Sequence, residues 1–279
     1  MSLRATRRRI SFGLSTLFGL APRGFFIPYR YAGGVEAPER YPALEPIFAD
    51  AEATMHDLLG AAGRHRNALV AIGHDPPPLP RWRQDWFPRL DAVMAYVLTR
   101  ERQFGRIVEV GSGHSTRFLA RAVRDGDLAT RVTAIDPQPR AMLGGLPIEL
   151  ISRTVQDAGL APFEQLTAGD AVLIDSSHIL MPGTDVDFLL NTVLPRLPSG
   201  IHIHIHDVFL PTGYPEEWRW RGYNEQTAVA SLIATGVLRP VWSSAYVAAR
   251  LAGGITKAGL DELPLVEGAH ESSLWVVKA

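Results

Sequence analysis

Asp175-Ser-Ser-His178 and His206-Asp207 are the residues of this chain best equipped to do chemistry. Each group sets a carboxylate within three positions of an imidazole. Such pairs move protons near neutral pH. Their hard oxygen and imidazole donors also suit Mg²⁺, Mn²⁺ or Fe²⁺. The plain alternative for the first pair is a helix-capping Asp beside a solvated His. The second pair ends Ile201-His-Ile-His-Ile-His206, where alternation puts His202, His204 and His206 on one face of a strand. Imidazoles in such a strand must find partners or stay neutral. His202 and His204 are expected to be structural, and His206 with Asp207 functional.

A second group surrounds a turn, Glu109-Val-Gly-Ser-Gly-His-Ser115. Gly111 and Gly113 let the backbone bend sharply and approach a ligand closely. Thr116 stands where the dinucleotide pattern has its third glycine, so the nicotinamide fingerprint is incomplete. Asp136 closes the next apolar run, Thr-Ala-Ile-Asp. A carboxylate there can accept from both hydroxyls of a ribose. Turn and acid together point to a nucleoside. His114 reads as a local contact, and Asp185 and Asp187 as the favourable acids of a helix start.

These groups need elements to carry them. Short apolar runs at 106–110, 131–135, 148–152, 170–174 and 201–206 read as strands. Periodic stretches at 90–99, 116–123, 138–144, 158–166, 185–197 and 224–235 read as helices. Alternation of this kind makes a doubly wound α/β fold with a parallel sheet. Two more strands, at 241–248 and 273–278, follow as a hairpin-like pair. In such a sheet the ends of the 170–174 and 201–206 strands lie about 5 Å apart, and ligands bind in the crevice at those ends. The aromatic and basic stretch Phe209–Glu225 then follows the fifth strand. Tyr214, Trp218, Arg221, Tyr223 and Asn224 are expected as a substrate wall or lid, against the alternative of a packed loop or dimer contact.

Composition narrows the class. The chain has 279 residues, 46% hydrophobic and 20% charged, which suits a folded core rather than disorder. With 28 basic and 29 acidic residues it lacks the charge of a dedicated nucleic-acid binder. It has no cysteine, which excludes disulfides, zinc–thiolate sites and a thiol nucleophile. The first 30 residues stand apart: Arg4, Arg7, Arg8, Arg9, Arg23 and Arg30 precede the first acid, Glu36, around the apolar run Ile10–Leu20. A secretory signal, a membrane-surface or partner-binding arm, and a helix packed on the body or on a second subunit all remain open; no small-x-small cleavage site follows the run. A helix is expected over 41–72, broken near Gly60. Asp75-Pro-Pro-Pro-Leu-Pro80 marks the boundary between an N-terminal helical extension, 1–80, and a core, 81–279. No stretch is apolar for long enough to span a bilayer.

Ile-Val-Glu-Val-Gly-Ser-Gly-His-Ser-Thr, Ala-Ile-Asp, Leu-Ile-Asp-Ser-Ser-His and His-Ile-His-Asp together resemble class I S-adenosylmethionine-dependent methyltransferases, in particular the bacterial methyltransferase family 24, over about residues 81–279. The resemblance implies a Rossmann-like seven-stranded sheet, five parallel strands plus a C-terminal antiparallel pair. It implies S-adenosylmethionine as cofactor and a hydroxyl of a small molecule as methyl acceptor. Glu109 would sit near the methionine ammonium, and Gly111, Ser112, Gly113 and Ser115 would pass the methionine and ribose. Asp136 would hold the ribose, and Gln156 or Asp157 would meet the adenine edge. By likeness to metal-dependent O-methyltransferases, Asp175, His206 and Asp207 would be ligands of Mg²⁺ or another divalent cation, with His178 as catalytic base beside Asp175. Those relatives carry a carboxylate where this chain has His206. A cytoplasmic enzyme, with a homo-oligomer as one option, is the corresponding expectation. Two rival readings stand beside it: an oxidoreductase using a metal or nicotinamide at the same crevice, and a non-catalytic module that binds a nucleoside or a partner.

Overall fold

The computed structural model describes residues 3–73 and 75–279, with their side chains except those of Arg4 and Ala5. Seven strands form one sheet: β1 (Arg106–Val110), β2 (Arg131–Ile135), β3 (Glu149–Ile151), β4 (Ala171–Ile174), β5 (His202–Ile205), β6 (Leu238–Ser243) and β7 (Leu274–Lys278). Their order is β3-β2-β1-β4-β5-β7-β6. The first five run parallel, while β7 is antiparallel to both β5 and β6. The expected doubly wound sheet with a C-terminal antiparallel pair is therefore the fold. Central strands need apolar residues on both faces, and all of β4 is buried. Pro240 is tolerated because β6 is an edge strand, where a missing N–H leaves no ladder bond unmade.

The helices are α1 (Leu3–Leu17), which stands apart from the sheet's core, α2 (Glu45–Asp50), α3 (Glu52–Arg64), α4 (Arg66–Val70), α5 (Arg89–Arg102), α6 (His114–Asp125), α7 (Val155–Ala158), α8 (Asp185–Phe188), α9 (Glu225–Ala234), α10 (Ser244–Arg250) and α11 (Ala252–Lys257). One hydrophobic cluster runs from Leu44 and Phe48 through α5 and the strands to Trp275 and Val276. Residues 44–72 thus share a core with the sheet. Among the described residues no helix is long and apolar enough to cross a membrane.

Several expected elements differ. The 41–72 helix is a series, interrupted at Ala51 and His65 rather than near Gly60. No helix forms over 138–144, where Pro139 lacks a donor and Gly144 and Gly145 favour turns. The helix expected at 158–166 lies earlier. Thr154 caps the N–H of Asp157, and the chain leaves the helix at Gly159, whose φ is +68°. The 185–197 stretch continues from α8 as one turn of π-helix and one of 3₁₀-helix. The strand expected to reach Ala248 ends at Ser243, whose hydroxyl accepts from the N–H of Tyr246 and starts α10. An N-cap of this kind contributes about 1 kcal/mol to the helix, and the apolar residues after it fitted either period.

Candidate active site

The winding reverses between β1 and β4, and there the carboxyl ends of the strands open a crevice. Backbone bonds align those ends. Gly111 N–H donates to Ile135, Asp175 N–H to Val110 and His206 N–H to Ile174. The glycine turn, Asp136, Asp175 and His206 therefore share one edge. Gly111 holds φ +81°, and a side chain there would meet the Asp175 carbonyl at 1.8 Å. Only glycine fits that approach.

The turn is wired internally. Gly113 N–H donates to Thr116 Oγ1 at 3.0 Å, and that hydroxyl donates to Glu109 Oε2 at 2.5 Å. A glycine at 116 would remove this relay, which is a physical reason for the departure from the dinucleotide pattern. Glu109 is fully buried, and its Oε1 has no partner. Burial pushes its carboxyl up to about 8, partly offset by the Ser115 and Thr116 hydroxyls. Asp136 Oδ2 accepts from the N–H and hydroxyl of Ser112, and Oδ1 from the N–H of Gln138. Gln156 donates to the Gly183 carbonyl, and the Asp157 carboxylate accepts from Thr154, its helix cap. Both are exposed.

Asp175, His178, His206 and Asp207 do come together. His178 Nε2 lies 3.5 Å from Asp175 Oδ1 and 3.5 Å from Asp207 Oδ2. His206 Nδ1 lies 3.5 Å from Asp175 Oδ1 and 3.4 Å from Asp207 Oδ1. Behind each imidazole stands a fully buried acid. Glu225 Oε2 is 2.9 Å from His178 Nδ1, and Asp91 Oδ2 is 3.2 Å from His206 Nε2. Asp91 is itself fixed by the N–H groups of Ser272 and Ser273. His178 and Asp207 hold φ of +60° and +55°, a conformation that the surrounding contacts must impose.

Burial alone would make both imidazoles less basic. The bonds from Asp175 and Glu225 outweigh it at His178 and hold its pKa well above the usual value. The charges of Asp175 and Asp207 do the same at His206. Burial would raise Asp175, but the two imidazoles hold it well below the ordinary carboxylate range. Burial raises Glu225, against the pull of His178. Four carboxyl groups thus surround two imidazoles, with the Arg221 guanidinium 3.7 Å from Asp207 at the rim. Among the described residues no three His, Asp or Glu side chains are gathered as a finished metal centre. The cluster is ion-paired within itself.

Asp91 and Glu225 were not singled out by sequence reasoning. Asp91 had a signal, being an acid in the otherwise apolar stretch Leu90–Leu98. His204 finds a hydrogen-bond partner as expected, while His202 is held by packing alone, its Nδ1 without a partner among the described residues. His204 meets Ser273 Oγ at 2.7 Å, and His202 lies against Phe104.

The cluster forms the floor of a cavity of about 970 Å³. Trp218, Arg221, Tyr223 and Asn224 line it. Tyr214 does not: its hydroxyl accepts from the N–H of Gln226, behind the wall. Tyr223 packs on His178 at 4.8 Å between ring centres, and Arg221 stacks 3.9 Å from the Trp218 ring centre. Asn224 ties this loop to Leu180 through both its amide oxygen and its amide nitrogen. The roof comes from the N-terminal segment, including Arg8, Arg9, Phe12, Arg23 and Phe25, which nothing in the local sequence connects to the site.

Residues 108–208 match the family described as "Methyltransferase domain". No curated protein matches the chain. Similar solved structures include the O-methyltransferase TomG from Streptomyces achromogenes in complex with SAM, at 17% identity and TM-score 0.45, covering 80% of this chain and 89% of that one. An O-methyltransferase from Bacillus cereus in complex with SAH follows at 15% and 0.42, covering 90% and 96%. The SAH-bound methyltransferase PaMTH1 from Podospora anserina stands at 17% and 0.40, covering 92% and 99%. Likeness of this degree says nothing about a substrate.

Proposed function

We propose that this chain, whose residues 108–208 match a methyltransferase-domain family, transfers the sulfonium methyl of S-adenosylmethionine to a hydroxyl oxygen of a small-molecule acceptor. One observation carries the reading. A glycine turn with an unpartnered buried carboxylate oxygen lies on the same sheet edge as the acid–imidazole cluster, and that cluster floors a cavity. The bare Glu109 Oε1 suits the methionine ammonium, a cation that supplies the missing donors. The Gly111–Ser115 turn and Asp136 suit the methionine and ribose. Asp136 Oδ2 already accepts twice, from Ser112, while Oδ1 accepts once, from Gln138, and retains acceptor capacity for a ribose hydroxyl.

In the reaction the carbon–sulfur bond breaks, its electron pair stays on sulfur, and the acceptor oxygen takes the methyl. The donor is already activated, so the protein's part is alignment, proton removal and exclusion of water. Alignment alone can supply on the order of 7–11 kcal/mol in favourable cases. His178 Nε2 takes the hydroxyl proton, while Glu225 on Nδ1 fixes the ring's orientation. The carboxylates around His178 favour its protonated form, and the cationic donor arriving at this edge opposes them. A positioned base typically contributes about 10²–10⁴-fold. Trp218, Arg221 and Tyr223 wall the acceptor.

The surplus of acids and the hard donors suit a divalent cation, although the side chains would have to draw together to hold it. Asp175, His206 and Asp207 would be its holders, and it would lower the pKa of the acceptor hydroxyl.

Calorimetry with S-adenosylmethionine and S-adenosylhomocysteine tests the reading, followed by transfer of labelled methyl to a panel of hydroxyl compounds. Asp136→Ala is expected to weaken cofactor binding at least about tenfold, the loss of a charge-assisted bond. His178→Ala is expected to lose turnover about 10²-fold or more with cofactor affinity retained. Absence of any heat with either cofactor form would overturn the proposal, and undiminished turnover in His178→Ala would remove the base.

A further inference from the structure

The roof of the cavity has a second side. α1 turns Arg8, Arg9, Phe12, Gly13 and Thr16 toward the cavity. At 3.6 residues per turn, Leu3, Ile10 and Leu14 fall on another face, and they are 82%, 56% and 49% exposed. Beyond the helix, Phe18 and Leu20 are 73% and 80% exposed and stand outside the cavity lining, which takes in Phe26 and Ile27. Of the 18 large apolar side chains exposed among the described residues, 12 lie within residues 3–35. A patch of this kind marks a contact surface.

Charge says what kind. All six charged residues before Glu36 are arginines, while the rest of the chain carries 22 basic residues against 29 acidic. Arg8 and Arg23 stack on Phe12, and Arg30 on Tyr31. A second copy docked arm to arm would set like charges together. A bilayer with anionic headgroups offers apolar depth to the leucines and to Phe18, and phosphates to Arg7 and Arg30, which are exposed and do not line the cavity. It repels the acidic remainder of the molecule, which orients the arm toward the surface.

We propose that residues 3–35 dock this protein on an anionic lipid surface through the Leu3, Ile10 and Leu14 face of α1 and the Phe18 and Leu20 side chains after it. Because the same segment roofs the cavity, docking sets the cavity beside the headgroups.

The full chain is floated with vesicles of phosphatidylcholine alone and with an equal mixture of phosphatidylcholine and phosphatidylglycerol, at low and high salt. At least about tenfold more protein is expected on the anionic vesicles, with a marked loss at high salt. Ile10→Glu with Leu14→Glu is expected to abolish most of that binding while circular dichroism stays unchanged, since neither side chain belongs to the core. Equal binding to both vesicle types, or full retention by the double variant, would overturn the proposal. So would a dimer in sedimentation that the double variant dissociates, since the face would then belong to a second copy. Flotation needs no cofactor, so failure of the transferase reading would leave this outcome intact.

Discussion

Glu109 shows how one residue's surroundings set its chemistry. A carboxyl with one bonded and one bare oxygen, deep beside the glycine turn, is uncharged at neutral pH because burial pushes it up to about 8. A cofactor ammonium beside it would favour the ionised form. Binding of S-adenosylmethionine at pH 7 is therefore expected to release close to one proton, read by calorimetry in buffers of different ionisation enthalpy. Glu109→Gln should bind without that release and about tenfold more weakly; equal proton counts in the two proteins would discard the assignment. At this scale much was legible. Asp175, His178, His206 and Asp207 were identifiable because the end of an apolar run marks where a strand reaches the crevice. Their partners Asp91 and Glu225 were not, because each arrives from a helix distant in sequence. Tyr214 was expected on the acceptor wall with its neighbours, but its side chain turns back to cap the start of α9.

Among the elements, the loop after β5 matters most, since it walls the cavity and is braced from outside the sheet. Gly213 N–H donates to the Glu39 carbonyl, and Tyr41 N–H donates to that of Pro211. A side chain at Gly213 would meet the Pro38 carbonyl at 2.0 Å. Gly213→Ala must push these strips apart. The expected cost is about 1–3 kcal/mol, by analogy with overpacked sites, seen as a lower Tm. Acceptor KM should rise while cofactor affinity, set on the other side of Asp175, holds. A variant with unchanged Tm and KM would show that the brace is idle. The pairing joins residues 170 positions apart, so no local pattern announces it. The five parallel strands, by contrast, were readable within a residue or two, because buried parallel strands must be apolar on both faces, whereas the edge strand expected at 241–248 runs over Leu238–Ser243. The helices expected at 138–144 and 158–166 failed where prolines, glycines and a Thr cap outweighed periodicity.

The whole molecule is held partly by imidazoles kept neutral. His204 is fully buried between Trp275 and Phe87, and burial drops its pKa to about 3. Unfolded, it would titrate near its ordinary value of about 6.5. Below that pH the unfolded chain takes a proton that the folded one refuses, so this residue's contribution to stability falls as pH drops from about 6.5 toward 3. Chemical denaturation of the parent and of His204→Gln across that window should differ in slope by up to one proton, about 1.4 kcal/mol per pH unit, with the parent steeper. Parallel slopes would mean that the site charges without cost.

By itself the sequence determined the seven strands in their order along the chain, the glycine turn with its acid, and the two acid–imidazole pairs at the sheet edge. All of these follow from local periodicity and from the rule that parallel strands end at a common crevice. Only the tertiary structure decided which acids stand behind the imidazoles, that Thr116 completes the turn, and that the arginine-rich arm lines the cavity. Those contacts join segments far apart in the chain, and their energies depend on burial, which no stretch of residues carries before it is packed.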